Sequence, residues 1–457
     1  MRADAIVIGG GQAGVPLAQR MATSGREVIL VERSRLGGTC VNYGCTPTKT
    51  LVASARAAHV ARTSGRLGVH AGEVRVDFPA VVARKDAVVR QWRAGLDRRL
   101  AAAGDTLHVV FGHARFVGDR EIDVGGERHR AEIVILNVGA RPVPPPLAGI
   151  ETVPYLDNHR ILDLRELPEH LLVLGGGYIG CEFAQMFRRF GAQVTIVQRA
   201  QHLLDREDPD ISEEIEGVFR AEGIEVLLEA RVTRVFSGAG GAVGIALEGG
   251  REIVGSHLLV AVGRKPNTDD LGCDAAGIRL DARGFVVVDD RYETSAPGVY
   301  AVGDMTGGPQ FTHTSWDDHR KLVALLEGRP ARARSNRIVP YSVFTDPQVA
   351  GVGLNEREAR RRGVRHEVGR MPFGHVARAI EVDETAGAMK VLVDPDTERI
   401  LGASIVGAEA GELVHVFAAL MEAGASARAL VDVECAHPTF AEGLQTLVMT
   451  LPRFALR

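Results

Sequence analysis

Two stretches of this chain carry the same pattern of apolar and polar positions. The first opens the chain: Ala5-Ile6-Val7-Ile8, then Gly9-Gly10-Gly11-Gln12-Ala13-Gly14. The second begins at Leu171-Leu172-Val173-Leu174 and runs on through Gly175-Gly176-Gly177-Tyr178-Ile179-Gly180. An unbroken apolar run of this length predicts a strand buried on both faces, as in a parallel sheet. Each stretch continues with apolar residues at helical spacing and a second strand-like run, Val28-Ile29-Leu30-Val31 and Val194-Thr195-Ile196-Val197. Glu32 and Gln198 each stand 18 positions after the last glycine of their stretch. Later turns correspond as well, Val138-Gly139-Ala140-Arg141-Pro142 with Val262-Gly263-Arg264-Lys265-Pro266.

Strand, G-x-G-x-x-G turn, helix and strand together make the fingerprint of a dinucleotide-binding unit. Gly9, Gly11 and Gly14, and again Gly175, Gly177 and Gly180, allow a tight turn that brings backbone close to a pyrophosphate. The helix that follows offers its free N–H groups to that charge. Two such units define an α/β fold with two nucleotide sites. Residues 80 to 103 predict a long charged helix, and Pro142 to Pro146 a hinge. The second unit ends near Asn267, and a return segment holds Gly298-Val299-Tyr300-Ala301-Val302-Gly303-Asp304. From Arg337 the pattern changes to strand-like runs with two helical stretches, predicting an α+β domain. The expected domains are 1–146, 147–267, 268–336 (returning to the first) and 337–457.

Bulk properties narrow the partners. A formal net charge of -4 over 457 residues gives no general field for nucleic acid or an anionic membrane. The basic run Arg360-Arg361-Arg362 is flanked by Glu356, Glu358 and Glu367, the pattern of a solvated helix face. No apolar run approaches the ~20 residues that span a bilayer. The strand-like run at residue 5 leaves no room for a signal peptide, so a cytoplasmic location is expected. Five cysteines is an odd, low number that argues against a secreted disulfide framework.

The chemistry concentrates in Gly38-Thr39-Cys40-Val41-Asn42-Tyr43-Gly44-Cys45-Thr46-Pro47-Thr48-Lys49. The spacing of Cys40 and Cys45 suits two thiols meeting across one turn at a helix start. Pro47 favours a first helical turn, and a thiol at a helix N-terminus has a lowered pKa. Zinc binding lacks a second close Cys or His pair. This run, with the two fingerprints, resembles the class I pyridine nucleotide-disulfide oxidoreductases, the family of glutathione reductase, dihydrolipoyl dehydrogenase and mercuric reductase. The resemblance covers essentially the whole chain.

That resemblance implies two Rossmann-like domains, for FAD and NAD(P), and a C-terminal dimerisation domain. It implies Cys45 as the charge-transfer thiol against the flavin and Cys40 as the interchange thiol. Lys49 would lie by flavin N5, paired with Glu182, and Tyr178 would gate the nicotinamide pocket. Glu32 suits the ribose hydroxyls of the FAD adenosine, with Gly38, Thr39 and Gly139 around the same cofactor. Asp304 resembles the ribityl-binding aspartate, and Thr312 stands at a helix start aimed at the flavin. Gln198 replaces the acid usual in NAD enzymes and Arg199 follows it, which favours NADPH over NADH. His437 in Cys435-Ala436-His437-Pro438-Thr439, with Glu442, matches the family's acid–base pair, contributed in a homodimer by the other subunit. Cys181 and Cys435 have no matched role and read as buried small residues.

Asn137-Val138-Gly139-Ala140-Arg141-Pro142, Gly307-Gly308-Pro309-Gln310-Phe311-Thr312 and His375-Val376-Ala377-Arg378-Ala379 resemble the mercuric-reductase-like branch. The C-terminal run Leu451-Pro452-Arg453-Phe454-Ala455-Leu456-Arg457 lacks that enzyme's vicinal cysteines. The expected activity is transfer of electrons from NADPH through FAD and the Cys40–Cys45 pair to a disulfide. The alternatives are reduction of Hg(II), Cu(II) or a quinone, dihydrolipoyl dehydrogenase activity, and a catalytically silent flavoprotein sensor.

Overall fold

The computed structural model describes residues 1–455. The chain forms two compact units. The first collects Met1–Thr50, Ala83–Val143 and Gly263–Arg337; the second collects Leu51–Val82, Pro144–Val262 and the chain from Ile338 onward. The helices that position the site are, in chain order, α1 (Gly14–Thr23), α2 (Gly38–Tyr43), α3 (Cys45–Thr63), α4 (Phe78–Ala101), α5 (Tyr178–Phe190), α6 (Pro209–Ala221) and α7 (Thr312–Leu326). The long charged helix starts two residues earlier than the pattern suggests, because the Asp77 carboxylate accepts the Ala80 N–H at 2.9 Å and caps it.

In the first unit, strands Leu107–Phe111, Val28–Glu32, Arg2–Ile8 and Glu127–Leu136 lie side by side and parallel, and Val299–Ala301 joins the edge of the last. Ile6 pairs with Ile29 on one side and Val134 on the other. Both faces of these strands are covered, which is why they read as continuous apolar runs. Ala5, Val7, Val28 and Leu30 pack in one cluster with Leu17 and Met21 of α1. Ile6, Ile29 and Val31 form the opposite cluster with Phe116, Ile122 and Val299. Burial of a Leu or Met side chain such as Leu17 or Met21 contributes roughly 1.5–3 kcal/mol.

In the second unit, strands Glu225–Leu227, Gln193–Val197, His170–Leu174 and His257–Val260 form a parallel sheet in that order. An antiparallel three-stranded sheet follows Val232–Ser237, Val243–Leu247 and Glu252–Gly255. Beyond Ile338 a five-stranded antiparallel sheet orders Tyr341–Val343, Gln348–Gly353, Ile400–Gly407, Ala388–Val393 and Glu367–Pro372. Its core includes Phe373, Phe417, Leu444 and Leu447. Two helical stretches were expected there, Ala410–Ala423 and Glu442–Met449 being the longer ones; short helical segments also occur at Glu356–Arg361, Ala377–Glu381 and Arg428–Asp432. Segments of five or six residues carry too little periodicity to stand out from loops.

The segment Leu51–Val82 differs from the expected partition. It belongs to the second unit although 1–146 reads as one domain. Leu51 and Ala55 of α3, with Phe78 and Val82, share an apolar cluster with Phe183, Phe187 and Phe190 of α5. Phe78 lies 5.9 Å from the Phe187 ring and 5.7 Å from that of Phe190. This aromatic burial, non-local in sequence, decides where the segment goes. The chain changes units at Val143/Pro144, inside the proline-rich run, and again at Val262/Gly263 and Arg337/Ile338.

Candidate functional site

The first glycine turn is shaped by close backbone approach. A Cβ on Gly14 would stand 1.9 Å from the Gly9 carbonyl oxygen, so no larger residue fits without moving α1. Gly9 has φ +104, and a Cβ on Gly11 would meet Asn137 Oδ1 at 2.9 Å. Gly38 packs on the same turn, its missing Cβ 2.8 Å from Gly11 Cα, and Thr39 follows it half-buried in α2. Glu32 is buried and anchored: Oε2 accepts the Gly10 N–H at 2.8 Å and Oε1 the Ser34 N–H at 2.8 Å. The carboxylate thus ends its strand against the turn, where a ribose diol would meet it. Asn137, given no role from sequence, ties the turn to the sheet. Its Oδ1 accepts the Gly14 N–H at 2.9 Å and its Nδ2 donates to Val302 O at 3.3 Å.

The second turn repeats this design. A Cβ on Gly180 would stand 2.0 Å from Gly175 O, and Gly177 is the N-cap of α5. Gln198 takes the position of Glu32, its Oε1 accepting the Gly176 N–H at 3.3 Å while Nε2 donates to His202 O at 3.2 Å. Arg199 beside it is exposed. Both turns can take a pyrophosphate: each lacks side chains where backbone must approach and each opens a helix. Tyr178, first residue of α5, donates its hydroxyl to Glu207 Oε1 at 2.8 Å and stacks on Tyr341 with ring centroids 5.8 Å apart. Neither Glu207 nor Tyr341 was singled out from sequence.

Cys45 is the first residue of α3 and exposed, and Cys40 lies half-buried in α2. Both are thiols. Cys45 Sγ stands 3.2 Å from the Thr312 hydroxyl oxygen at the first residue of α7. Its hydrogen bond with Cys45, and then burial, push the Cys40 thiol well above the ordinary cysteine range. Lys49 is half-buried one turn along α3. Glu182 belongs to the other unit, is 6% exposed, and accepts the Phe344 N–H at 2.8 Å.

Asp304 follows the return strand as expected, but it is engaged. Oδ2 accepts Arg264 Nη1 at 2.7 Å, while Arg264 Nη2 donates to Ala140 O at 2.8 Å. This arginine lies in the short strand Arg264–Pro266, which pairs antiparallel with Ala140–Pro142. The segments that follow Gly139 and Gly263 thus pair in one ribbon, with the two glycines at its opposite ends. His437 is 69% exposed, with Nδ1 2.9 Å from Glu442 Oε2. Thr439 Oγ1 accepts the Glu442 N–H at 3.2 Å and the Thr439 N–H reaches back to Glu442 Oε1 at 3.4 Å. The T-x-x-E spacing that makes this helix-start box also fixes the carboxylate under the imidazole.

The remaining cysteines divide. Cys181 is fully buried, its thiol pushed up by burial and donating to Gly176 O at 3.3 Å. Cys273 is buried too, and burial raises it to about 11. Cys435 corrects the expectation of burial: it is only partly covered, because the segment from Val433 to Pro438 is otherwise exposed.

The sequence matches the family described as pyridine nucleotide-disulphide oxidoreductase over residues 3–318, and that family's dimerisation domain over residues 339–448. The chain belongs to this family. It is an oxidoreductase that uses FAD, with NAD(P)H as donor, and carries the family's homodimerisation domain. Among its relatives is the probable pyridine nucleotide-disulfide oxidoreductase RclA of Escherichia coli, 38% identical over 97% of this chain and 98% of that protein. A dihydrolipoyl dehydrogenase of Thermus scotoductus is 36% identical over 99% and 98%. A mercuric reductase of Lysinibacillus sphaericus is 33% identical over 98% and 83%. The solved Cu(II) complex of the HOCl-induced flavoprotein disulfide reductase RclA superposes with a TM-score of 0.90 at 37% identity, covering 98% of this chain and 99% of that one. No helix among the described residues of this family member is long and apolar enough to cross a membrane.

Proposed function

We propose that this oxidoreductase passes two electrons from NADPH to Cys40 and Cys45, and that the resulting dithiol reduces a disulfide. The observation that carries the reading is the thiol pair itself: Cys45 exposed at the start of α3 beside Thr312, and Cys40 half-buried in α2 and hydrogen-bonded to it. FAD supplies the two-electron relay between hydride donor and disulfide. Glu32 with Gly9, Gly11, Gly14, Gly38, Thr39 and Gly139 would hold it, and Asp304 and Thr312 would meet it from the return segment. Gly175, Gly177, Gly180 and Gly263 would hold the nicotinamide nucleotide, Tyr178 would gate it, and Arg199 would pair with a 2′-phosphate that Gln198 does not repel.

In the exchange step the Cys40 thiolate attacks one substrate sulfur. The mixed disulfide is then resolved by Cys45, which forms the Cys40–Cys45 bond and releases the second thiol. A thiol pushed up as Cys40 is needs a base to enter this step, and the leaving thiolate needs a proton. His437, oriented by Glu442, is the group assigned to both, acting on the pair of the other subunit. Lys49 contributes positive charge to the same helix turn as Cys45.

A second reading keeps the dithiol and exchanges the acceptor for a soft metal ion or a quinone. It rests on the likeness to mercuric reductase and to RclA, whose structure is described with Cu(II). The test is one panel of small disulfides, dihydrolipoamide with NAD, Hg(II), Cu(II) and quinones, run with NADPH and with NADH. Fast disulfide turnover that Cys40→Ser abolishes supports the first reading. Turnover confined to a metal ion or quinone, or surviving loss of Cys40, refutes it.

A further inference from the structure

Glu207 is a carboxylate buried in the second unit, 1% exposed, with a phenol on each oxygen. Tyr178 OH donates to Oε1 at 2.8 Å and Tyr341 OH donates to Oε2 at 2.6 Å. The two rings lie nearly parallel, 14° apart. Burial raises the Glu207 pKa and the two phenol hydrogen bonds work against it, the net direction being upward; the two phenols are themselves raised, chiefly by burial. A phenol-to-carboxylate bond in such a setting is among the stronger neutral-donor bonds.

The direction of the tyrosine follows from the sheet. The parallel strands run Glu225–Leu227, Gln193–Val197, His170–Leu174, His257–Val260. In such a unit the adenosine half of a dinucleotide lies over the strand that follows the fingerprint helix, here Gln193–Val197, and the other half crosses toward the opposite side. Glu207 stands just before α6, on the connection that leads from Gln193–Val197 through α6 to the edge strand Glu225–Leu227, against which α6 packs. Its bond to Tyr178 ties that ring to the connection on the adenosine side.

We propose that Glu207 and Tyr341 are positioning residues that latch the Tyr178 ring aside, keeping the nicotinamide side of the second fingerprint open. The inference rests on the reading of that fingerprint as the NAD(P)H site. Without the latch the ring samples its other rotamers, one of which lies over the nicotinamide half. Affinity then falls by the fraction of molecules left open.

The experiment titrates oxidised, FAD-loaded enzyme with NADP+ and follows flavin fluorescence. Retained FAD and an unchanged melting temperature show that each variant folds. Glu207→Gln and Tyr178→Phe should each raise Kd about tenfold to a hundredfold, the range set by loss of one charge-assisted hydrogen bond. The double variant should be no weaker than Glu207→Gln alone, since Tyr178→Phe removes only a bond that Glu207→Gln already alters. Turnover by Glu207→Gln at saturating NADPH should change far less than KM. Tyr178→Ala removes the ring that falls in, so Glu207→Gln with Tyr178→Ala should bind close to native strength. Native or tighter binding by Glu207→Gln, or weak binding that persists when the ring is removed, overturns the latch. If Glu207→Gln fails to fold, Tyr178→Phe against Tyr178→Ala carries the same test. Arg199→Glu separates the two levels. If it weakens NADP+ binding while Glu207→Gln and Tyr178→Phe do not, only the latch is lost; if none of the three weakens it, the nucleotide assignment fails.

Discussion

The two glycine turns offer a paired test of which nucleotide goes where. Gly14→Ala places a methyl carbon 1.9 Å from the Gly9 carbonyl oxygen, and Gly180→Ala places one 2.0 Å from Gly175 O. Contacts that close are not tolerated, and the obstacle in each case is backbone, so the start of α1 or α5 must move out by more than an ångström. Overpacking of this kind typically costs about 1–3 kcal/mol in stability. The larger effect is on the ligand. A displaced helix end forfeits one or two charge-assisted bonds to a pyrophosphate, roughly 1.5–3 kcal/mol each, or about tenfold to more than a hundredfold in Kd per bond. Gly14→Ala should therefore purify depleted in FAD, with Kd for added FAD raised at least tenfold. Gly180→Ala should retain FAD fully, and its KM for NADPH should rise by a similar factor. The assays are the flavin absorbance of purified protein, a FAD fluorescence titration of the apoprotein, and steady-state kinetics. FAD loss from Gly180→Ala with retention by Gly14→Ala would reverse the assignment, and native behaviour of both would show that neither turn touches a nucleotide.

Arg199→Glu should weaken use of NADPH by about 1–3 kcal/mol in kcat/KM while leaving NADH little changed; equal use of both cofactors by the native enzyme refutes the assignment. Mixing Cys40→Ser with His437→Ala protein and allowing subunit exchange should restore disulfide reduction, because one site of each mixed dimer then carries neither lesion. Mixed dimers that form without activity rule out a shared site. His437→Ala alone should slow the disulfide step by roughly 10²–10⁴-fold and leave flavin reduction nearly intact, which rapid-mixing absorbance measures separately. Asp346 supplies a pH test. Burial alone would raise it, but Arg189 at 2.6 Å and Arg56 outweigh that and hold its pKa below the ordinary carboxylate value. A depressed pKa contributes stability above the unfolded value, about 4, that is lost as pH falls through the folded one. Asp346→Asn should therefore be less stable at pH 7, by about 2 kcal/mol, and the gap to native protein should shrink below pH 4 in thermal unfolding; a gap that stays constant refutes the ion-pair account.

What the sequence determined by itself is what local chemistry encodes. The two strand–turn–helix units, the glycines at Gly14 and Gly180, and the end-of-strand positions of Glu32 and Gln198 follow from fixed spacings and from backbone sterics that no distant residue alters. The start of α3 at Cys45, the His437–Glu442 pair five residues apart, and the buried strands belong to the same class. Tertiary structure decided the contacts between residues far apart in the chain. Leu51–Val82 joins the second unit because its apolar face meets the phenylalanines of α5. Asp304 is held by Arg264, 40 positions away, and Gly14 by Asn137, 123 positions away. Tyr341 meets Glu207 across 134 positions, and through it Tyr178. Periodicity and turn chemistry repeat within a few residues and can be read along a line. Which carboxylate ends up beneath which phenol depends on how sheets and helices pack, and that is settled only when the whole chain has folded.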